Sequence, residues 1–429
     1  MNKTPNQSLT AAIGASWALL LGFGILMLGD GLQGTLLAVR AFREGFSTTI
    51  TGVVMSSFYV GFLAGSLWAP KIVRQVGHIR VFAALVALAS ASILVHALYI
   101  HPVAWVVLRL ISGFCFSGIY IVAESWLNDS APNESRGQLL SIYMVITYVA
   151  VGVGQLFLNL SDPVGYPLFV LTSVLISVAV VPLLLSASRA PSFEESSSVR
   201  LIDLYKISPL GVVGMFGEGL VTAAVFALGP VYAALQGYSN AEISFFITAP
   251  VLATVLLQWP IGHLSDKYDR RWVITIVTFA AALAAVGCVF AAQLSVWWAI
   301  VAFGVFGGFA LPMYSLCIAH TNDHLQPEQM VAASGGLILA GGAGAILGPF
   351  VISLVMNISQ VGFFWALTSI HVFIGLFAIY RMIKRKPTPL DQQGHHVPVT
   401  LRPSSRVVET IQEHLRDDYP HNEADNTDK

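Results

Sequence analysis

Charged residues are scarce in this chain of 429 residues: Asp, Glu, Lys and Arg together make up 10% of it. A soluble globular domain contains about a quarter charged residues, so the composition excludes an ordinary water-exposed surface. The formal net charge of -1, without any basic block, also excludes a nucleic-acid interface. We therefore expect no nucleic-acid partner.

Cysteine and catalytic motifs are equally rare. The three cysteines, Cys115, Cys288 and Cys317, lie in apolar runs without CxxC or Cys/His spacing, which excludes a disulfide framework and a zinc site. Without a Walker loop, ATP does not drive the protein directly. The titratable residues form no nucleophile–base constellation, which disfavours an enzyme. We expect no cofactor and no metal.

The chain is instead 55% hydrophobic, and its apolar residues fall in twelve long runs. Each run is long enough to cross a hydrocarbon core of about 30 Å. Backbone groups in lipid must be satisfied within the segment, so the runs are helices. We predict an all-α membrane protein with helices near residues 12–38, 48–69, 80–99, 102–126, 137–160, 165–187, 208–235, 242–262, 272–292, 295–318, 330–356 and 362–383.

The positive charges predict the orientation of these helices. With the amino terminus inside, 19 of the 22 Lys and Arg residues fall on the cytoplasmic side and two, Arg40 and Arg43, fall outside. Both termini are therefore predicted to be cytoplasmic. A polar linker, 188–207, separates six-helix units at 1–187 and 208–383, and 384–429 is expected to be a mostly disordered tail.

The two halves of the chain resemble each other. Residues 27–32 read MLGDGL and residues 215–220 read MFGEGL, 188 residues later. Gly154 returns as Gly348, at an offset of 194. Duplication of a six-helix unit gives two bundles related by an axis along the membrane normal, with a site between them. This arrangement favours alternating-access transport.

The loop after the eighth segment places an acid among cations. Its notable residues are Gly262, Asp266, Lys267, Arg270 and Arg271. An acid beside cations can join helix ends through charge-assisted hydrogen bonds, so we predict a conformational latch.

The stretch after the second segment corresponds to this loop but lacks the acid. It keeps Gly65, Gly77 and Arg80. The first-half latch is therefore degenerate or takes an acid from elsewhere.

The sequence GHLSDKYDRR at 262–271 resembles the G-x-x-x-D-[RK]-x-G-R-[RK] signature of the major facilitator superfamily, with Asp269 at the usual glycine. Residues 108–113 are similar to the second motif of that family, an intramembrane Arg followed by a polar–glycine pair. Residues 123–127, 136–140, 237–241 and 258–262 look like the bacterial YcaD-like branch. The resemblance implies two pseudo-symmetric six-helix bundles, with segments one, four, seven and ten lining a central cavity.

Four ionisable residues lie inside predicted membrane segments: Asp30, Arg109, Glu124 and Glu218. A central charge costs about 2.5–3.5 kcal/mol, so each should face water, face a partner or lose its charge. Asp30 and Arg109 share a depth, and we hypothesise that they pair. Burial raises a carboxyl pKa, which makes Asp30, Glu218 and Glu124 candidates for proton coupling.

One stripe on the fourth segment recurs at three- and four-residue spacing, from Arg109 toward Glu124. With Gln33, one turn from Asp30, it predicts a substrate cavity lined by Gln33, Arg109, Ser112, Phe116 and Tyr120. The competing interpretation of the stripe is a packing seam.

Together these features predict a secondary transporter of a small organic solute in the bacterial cytoplasmic (inner) membrane, driven by protons. Its expected partners are the small-molecule substrate, protons and the lipid bilayer, and we expect a monomer. Two alternatives stay open: an efflux antiporter for drugs or metabolites, and a non-transporting sensor that signals through the tail.

Overall fold

The computed structural model describes residues 9–130, 133–185, 200–325 and 327–387, with residues 389 and 393. The predicted linker is therefore described only over 200–207, and nearly all of the predicted tail lies outside the described residues. The helices are α1 Leu9–Arg43, α2 Thr48–Val76, α3 His78–Leu98, α4 Pro102–Ser130, α5 Asn133–Leu156, α6 Pro167–Val178, α7 Val181–Leu185, α8 Leu201–Ile207, α9 Pro209–Leu235, α10 Asn240–Lys267, α11 Arg270–Leu294, α12 Val296–Ala310, α13 Met313–Asn322, α14 Pro327–Ile358 and α15 Gly362–Lys384.

The prediction of twelve membrane helices is confirmed: within the described ranges, twelve helical segments are long and apolar enough to span a bilayer. Successive spans run in opposite directions. We call the face where α1 begins and α15 ends the terminal face, and the other the opposite face. The α2–α3, α10–α11 and α13–α14 turns therefore lie at the terminal face.

Two spans that were predicted as single helices are interrupted. The sixth consists of α6 and α7, and the break precedes Pro182. The tenth consists of α12 and α13, separated by Leu311 and Pro312. Proline lacks an N–H and clashes with the preceding turn, which explains both breaks. The tenth span thus divides into two half-helices within the membrane.

Arg40 does not lie in a loop, as the charge count assumed, but in the last turn of α1. Its guanidinium pairs with Glu44 at 2.8 Å and donates to the carbonyl oxygen of Pro163 at 3.2 Å. It also lies 5.9 Å from the centroid of the Phe169 ring. Arg40 therefore fastens the end of α1 to the loop before α6 and to α6 itself.

The internal repeat is visible in how each bundle packs. In α1, a Cβ added to Gly31 would overlap the carbonyl oxygen of Val151 in α5. In α9, a Cβ added to Gly219 would overlap the carbonyl oxygen of Gly341 in α14. These glycines let the helix backbones touch at equivalent points of two six-helix bundles.

Candidate functional site

A central cavity of about 70 Å³ lies between the two bundles. The first bundle contributes α2, through Tyr59, Leu63 and Ser66. The second bundle contributes α9, the start of α13, and α14. Sequence reasoning expected the first, fourth, seventh and tenth spans here, so the participation of α2 and α14 was not predicted.

Glu218 is the only carboxylate among the described residues that line this cavity. It is 6% exposed and accepts a short hydrogen bond from the hydroxyl of Thr222, one turn along α9. Among the described residues, no cation pairs with it. An ionised carboxylate without a partner is costly in a low-dielectric interior, so this position favours the protonated form.

Tyrosines from both bundles surround Glu218. Tyr148 of α5, which is buried, and Tyr314 of α13, which is partly buried, both lie within electrostatic range of it. Tyr314 is also within electrostatic range of Glu124 of α4, which accepts a 2.9 Å hydrogen bond from the Tyr143 hydroxyl. Glu124 and Glu218 therefore belong to one buried acid–tyrosine cluster that crosses the interface between the bundles.

Asp30 lies beside a second, smaller cavity of about 20 Å³. This cavity is lined by Asp30, Tyr120, Thr147 and Gln155 of the first bundle and by Phe226 of α9. The Tyr120 hydroxyl donates to the sulfur of Met27 at 3.1 Å. The structure thus brings two predicted residues, Asp30 and Tyr120, to one polar pocket at the bundle interface.

Arg109 is buried, with 4% of its surface exposed. Its guanidinium lies 4.3 Å from the centroid of the Phe58 ring in α2, a cation–π geometry. Phe116 is also fully buried and packs 6.1 Å from Phe58. This aromatic packing stabilises the charge inside the first bundle.

The side chain of Ser112, which was predicted to line the cavity, contacts α3 instead. Its hydroxyl lies 3.0 Å from that of Ser92 in α3, and Ser92 also donates to the carbonyl oxygen of Leu108. Ser112 therefore joins α3 to α4 within the first bundle. At this position the packing interpretation of the stripe describes the contact.

Gln33 is 1% exposed, and neither atom of its side-chain amide has a hydrogen-bond partner in the described part of the chain. A buried amide without partners costs about 1–3 kcal/mol. Such a group is suited to bind a polar ligand or water. The sequence had singled it out through its position one turn from Asp30.

The bundles touch at the opposite face through neutral polar groups. Asn357 of α14 donates to Thr49 of α2. Asn159, just after α5, donates to Ser244 of α10 at 3.3 Å. The hydroxyl of Thr248 in α10 donates to the carbonyl oxygen of Gly152 in α5 at 3.3 Å. These hydrogen bonds hold the bundles together at this face.

The predicted latch loop forms an ion-pair network at the terminal face. Arg270 is fully buried and donates two hydrogen bonds to Asp323 at 2.6 and 2.7 Å. It also contacts Asp266 at 3.2 Å and the Ser265 hydroxyl at 2.7 Å. The network joins the ends of α10, α11 and α13, all in the second bundle. Asp323 was missed as a partner because it lies 53 residues from Arg270.

Asp269, at the usual glycine of the signature, caps α11. Its carboxylate accepts from the backbone N–H of Arg271 at 3.0 Å and pairs with the Arg271 guanidinium at 2.7 Å. Burial acts to raise the pKa of Asp269, but these bonds and the Arg271 charge outweigh it and hold the pKa below 3.8. Gly262 is buried in α10, whereas Lys267 is exposed at its end.

The corresponding end of the first bundle has a different construction. Gly77 separates α2 from α3 with a φ of +95°, which explains the glycine. The buried ring of His78 lies 3.2 Å from the Ser125 hydroxyl of α4. Arg80 is exposed, and Gly65 packs against the carbonyl oxygen of Phe114.

The sequence comparisons agree with this geometry. The family model of the Major Facilitator Superfamily matches residues 19–240 and 212–417. The chain is 28% identical over 375 residues to "Uncharacterized MFS-type transporter YcaD" of Escherichia coli O6:K15:H31, covering 87% of this chain and 97% of that protein.

Solved structures show the same fold. The nucleoside transporter NupG superposes with a TM-score of 0.69 at 15% identity, covering 87% of this chain and all of the other. A bacterial homolog of the human lysosomal transporter Spinster, inward-facing and occupied, superposes with a TM-score of 0.65 at 15% identity, covering 91% and 99%.

The family match and the twelve spans together identify a multi-pass membrane transporter rather than an enzyme. The chain belongs to the Major Facilitator Superfamily.

Proposed function

We propose that this transporter couples the movement of a small organic solute to protons by alternating access, and that Glu218 carries the proton. The observation behind this proposal is the position of Glu218: buried at the bundle interface, bonded to Thr222 and without a described cation. A carboxyl group there is stable when neutral and can ionise when the bundles separate and water enters. Proton exchange thereby follows the conformational change.

The volume of the central cavity supports the proposal that the cavity is closed here and that it opens to one side of the membrane or the other during transport. Its volume of about 70 Å³ holds a few water molecules. Small-molecule sites typically measure about 300–1,000 Å³. Solute binding therefore requires the bundles to separate, which exposes Glu218 at the same time.

The other predicted site residues are assigned by their distance from the interface. Asp30 and Glu124 are proposed as further proton sites, because each lies near groups of the second bundle. Gln33 and Tyr120 are proposed to bind solute. Arg109 is proposed to neutralise Asp30 or to hold an anionic solute. Phe116 packs beside the Phe58 ring that Arg109 contacts, and it is proposed to shape the surroundings of the Arg109 guanidinium.

The test is solute-driven proton movement in proteoliposomes that contain a pH-sensitive dye. Solutes are first selected from a panel of organic acids, bases and neutral metabolites by thermal stabilisation of the purified protein. Glu218→Gln, which keeps the shape but cannot ionise, should abolish the proton signal while the protein stays folded. Proton movement at the wild-type rate in Glu218→Gln would refute this assignment.

The matched control is Glu242→Gln. Glu242 forms a capping box with Ser239 at the exposed start of α10, and glutamine can serve the same cap. It makes the same chemical change away from the cavity, so proton movement should remain at the wild-type rate. Asp30→Asn and Arg109→Ala test the proposed pair: unchanged transport and stability in both would rule it out.

We propose that the conformational latch acts within the second bundle, where its ion pairs lie. Because Asp266, Arg270 and Asp323 all belong to the second bundle, they would keep three helix ends together while that bundle moves as one body. Gly65, Gly77 and Arg80 are proposed to form the counterpart of this latch in the first bundle.

The remaining assignments follow the sequence. The protein is proposed to be a monomer in the bacterial inner membrane, with the terminal face in the cytoplasm and bundles at 1–187 and 208–383. An efflux antiporter for drugs or metabolites is the alternative, and the same dye assay distinguishes it, because in antiport protons move against the solute and the sign of the pH change is reversed. Deleting residues 384–429 tests the sensor alternative, since loss of a signal without any flux would favour sensing.

A further inference from the structure

A cationic pocket lies at the terminal face of the second bundle, away from the central cavity. It is formed where α9 begins, where α13 ends and where α15 ends. Its polar lining consists of Ser208, Arg271, His320, His324, Arg381 and Arg385. None of the transport roles assigned above requires the last two arginines, the histidines or Ser208.

Ser208 provides the first observation that points to a ligand site. It is the N-cap of α9, but its side chain makes no capping hydrogen bond. The residue is 1% exposed, and its hydroxyl has no hydrogen-bond partner in the described part of the chain. An unsatisfied buried hydroxyl costs about 1–3 kcal/mol, so a group that accepts or donates a hydrogen bond here would lower the energy.

The beginning of α9 adds a favourable electrostatic environment. This helix is 27 residues long and starts at Pro209, which has no N–H, so its first N–H groups are those of Leu210 and Gly211. Pro209 and Leu210 line the pocket, which places the positive dipole end of the helix beside it. Helix starts of this kind bind phosphate and other anions readily.

The guanidinium groups in the pocket are only partly neutralised. Arg271 pairs with Asp269 and donates to the Arg385 carbonyl oxygen at 2.7 Å, and Arg385 donates to the Ile207 carbonyl oxygen at 2.7 Å. Arg381 forms no ion pair with any described residue. The pocket thus holds more positive than negative charge.

The effect of this charge is visible at His324. Burial lowers its pKa first, and the charges of Arg385, Arg271 and Arg381 lower it further, against a hydrogen bond to the His320 carbonyl oxygen. These causes favour the neutral form of His324. An anion in the pocket would be attracted by the arginines without needing a protonated histidine.

We propose that this pocket binds a phosphate group, held by the Ser208 hydroxyl, the first N–H groups of α9 and the Arg381 guanidinium. Phosphate oxygens accept several hydrogen bonds at once and suit an arginine beside a helix start. The phosphate has two possible sources, a free phosphate compound or the headgroup of an anionic phospholipid. Arg381 lies in the last turn of α15, at the membrane edge, within reach of both.

The test measures binding to the purified full-length protein in two arms. The first titrates inorganic phosphate at constant ionic strength. The second measures the retention of phosphatidylglycerol, relative to phosphatidylcholine, by native mass spectrometry. Arg381→Gln removes one charge-assisted contact. It should therefore raise the dissociation constant of the natural ligand, in whichever arm detects it, about tenfold.

Two further variants make the result specific. Lys384→Gln removes the same charge from an exposed position three residues along α15 and should leave binding unchanged. Ser208→Ala keeps the charge and should weaken binding severalfold. A response to phosphate alone identifies a free phosphate compound, and a response to phosphatidylglycerol identifies a lipid headgroup. The proposal is overturned if neither ligand binds, or if Arg381→Gln and Lys384→Gln behave alike.

Discussion

The two bundles share their helix crossings but differ in the chemistry that holds their terminal ends together. In the second bundle, the α10–α11 turn is fixed by the buried Arg270 and two acids, Asp266 and Asp323. In the first bundle, the contacts described at the equivalent α2–α3 turn include Gly77, with its positive φ, and the hydrogen bond between His78 and Ser125. Backbone packing has therefore kept the symmetry of the repeat, while the residues at the two turns differ.

This difference shows which features a duplicated fold must keep. A bulky residue at a glycine crossing forces two helices apart, so the crossing is constrained in both halves. A helix end needs only some pairing of its polar groups, which charged and neutral side chains can both provide. Four predictions test this comparison, in order of expected effect.

Arg270→Gln should have the largest effect. It leaves the buried Asp323 carboxylate without its partner, and breaking a buried ion pair in this way costs about 3–5 kcal/mol. The measurement is the free energy of unfolding of the purified protein in detergent. Adding Asp323→Asn should recover part of the loss, because the two substitutions remove one shared interaction. Lys267→Gln, in the same loop but exposed, should change stability by less than about 0.5 kcal/mol.

Gly31→Ala and Gly219→Ala should each destabilise by about 1–3 kcal/mol, because the added methyl group overlaps a carbonyl oxygen of the neighbouring helix. The two losses should be similar, since the crossings are equivalent. The control is Gly34→Ala in α1, where an added Cβ meets nothing within 4 Å. A large loss in only one bundle would contradict the symmetry of the crossings.

His78→Ala should cost about 1–3 kcal/mol, because it removes the hydrogen bond to Ser125 and the packing of the ring against Trp126, and so less than Arg270→Gln. Arg80→Gln, two residues along, removes an exposed charge and should change stability by less than about 0.5 kcal/mol. If His78→Ala proves as damaging as Arg270→Gln, the two ends are held equally strongly and the comparison fails.

Asp269→Asn should have the smallest effect, and the effect should depend on pH. The native pKa of Asp269 lies below the ordinary 3.8, so its ionised form stabilises the fold above that pH. The contribution of this partly exposed pair, about 1 kcal/mol or less, is lost as the pH falls through the native pKa. Unfolding curves of the two proteins should therefore differ at pH 6 and converge as the pH falls below 3.8 and through the native pKa. A difference that persists at low pH would mean that the ion pair is not its cause.

The sequence was sufficient for the fold because apolar runs and the positions of repeated glycines are local properties. It predicted all twelve spans, and it singled out Gly31 and Gly219 through the repeated hexapeptides. It did not predict the two breaks in the sixth and tenth spans, although Pro182 and Pro312 were the signal for them.

Residues of the candidate site could be predicted only where the sequence places an ionisable residue inside a membrane segment. Glu218 and Glu124 were found in this way, whereas Tyr148 and Tyr314 were missed, because a tyrosine in an apolar run has no distinctive spacing. Ser112 was predicted to line the cavity, and its contact with Ser92 was not foreseen, because periodicity identifies a helix face but not the helix that packs on it. Asp323 needed the distance between two loops, which a single sequence does not contain.

The hydrogen bonds from Asn357, Asn159 and Thr248 at the opposite face join uncharged groups. Water can replace each of them at little cost in free energy. Mobile ions screen interactions between charges and leave such bonds nearly unaffected. The contribution of these bonds to the barrier for parting the bundles at that face should therefore be nearly the same in dilute and in concentrated salt.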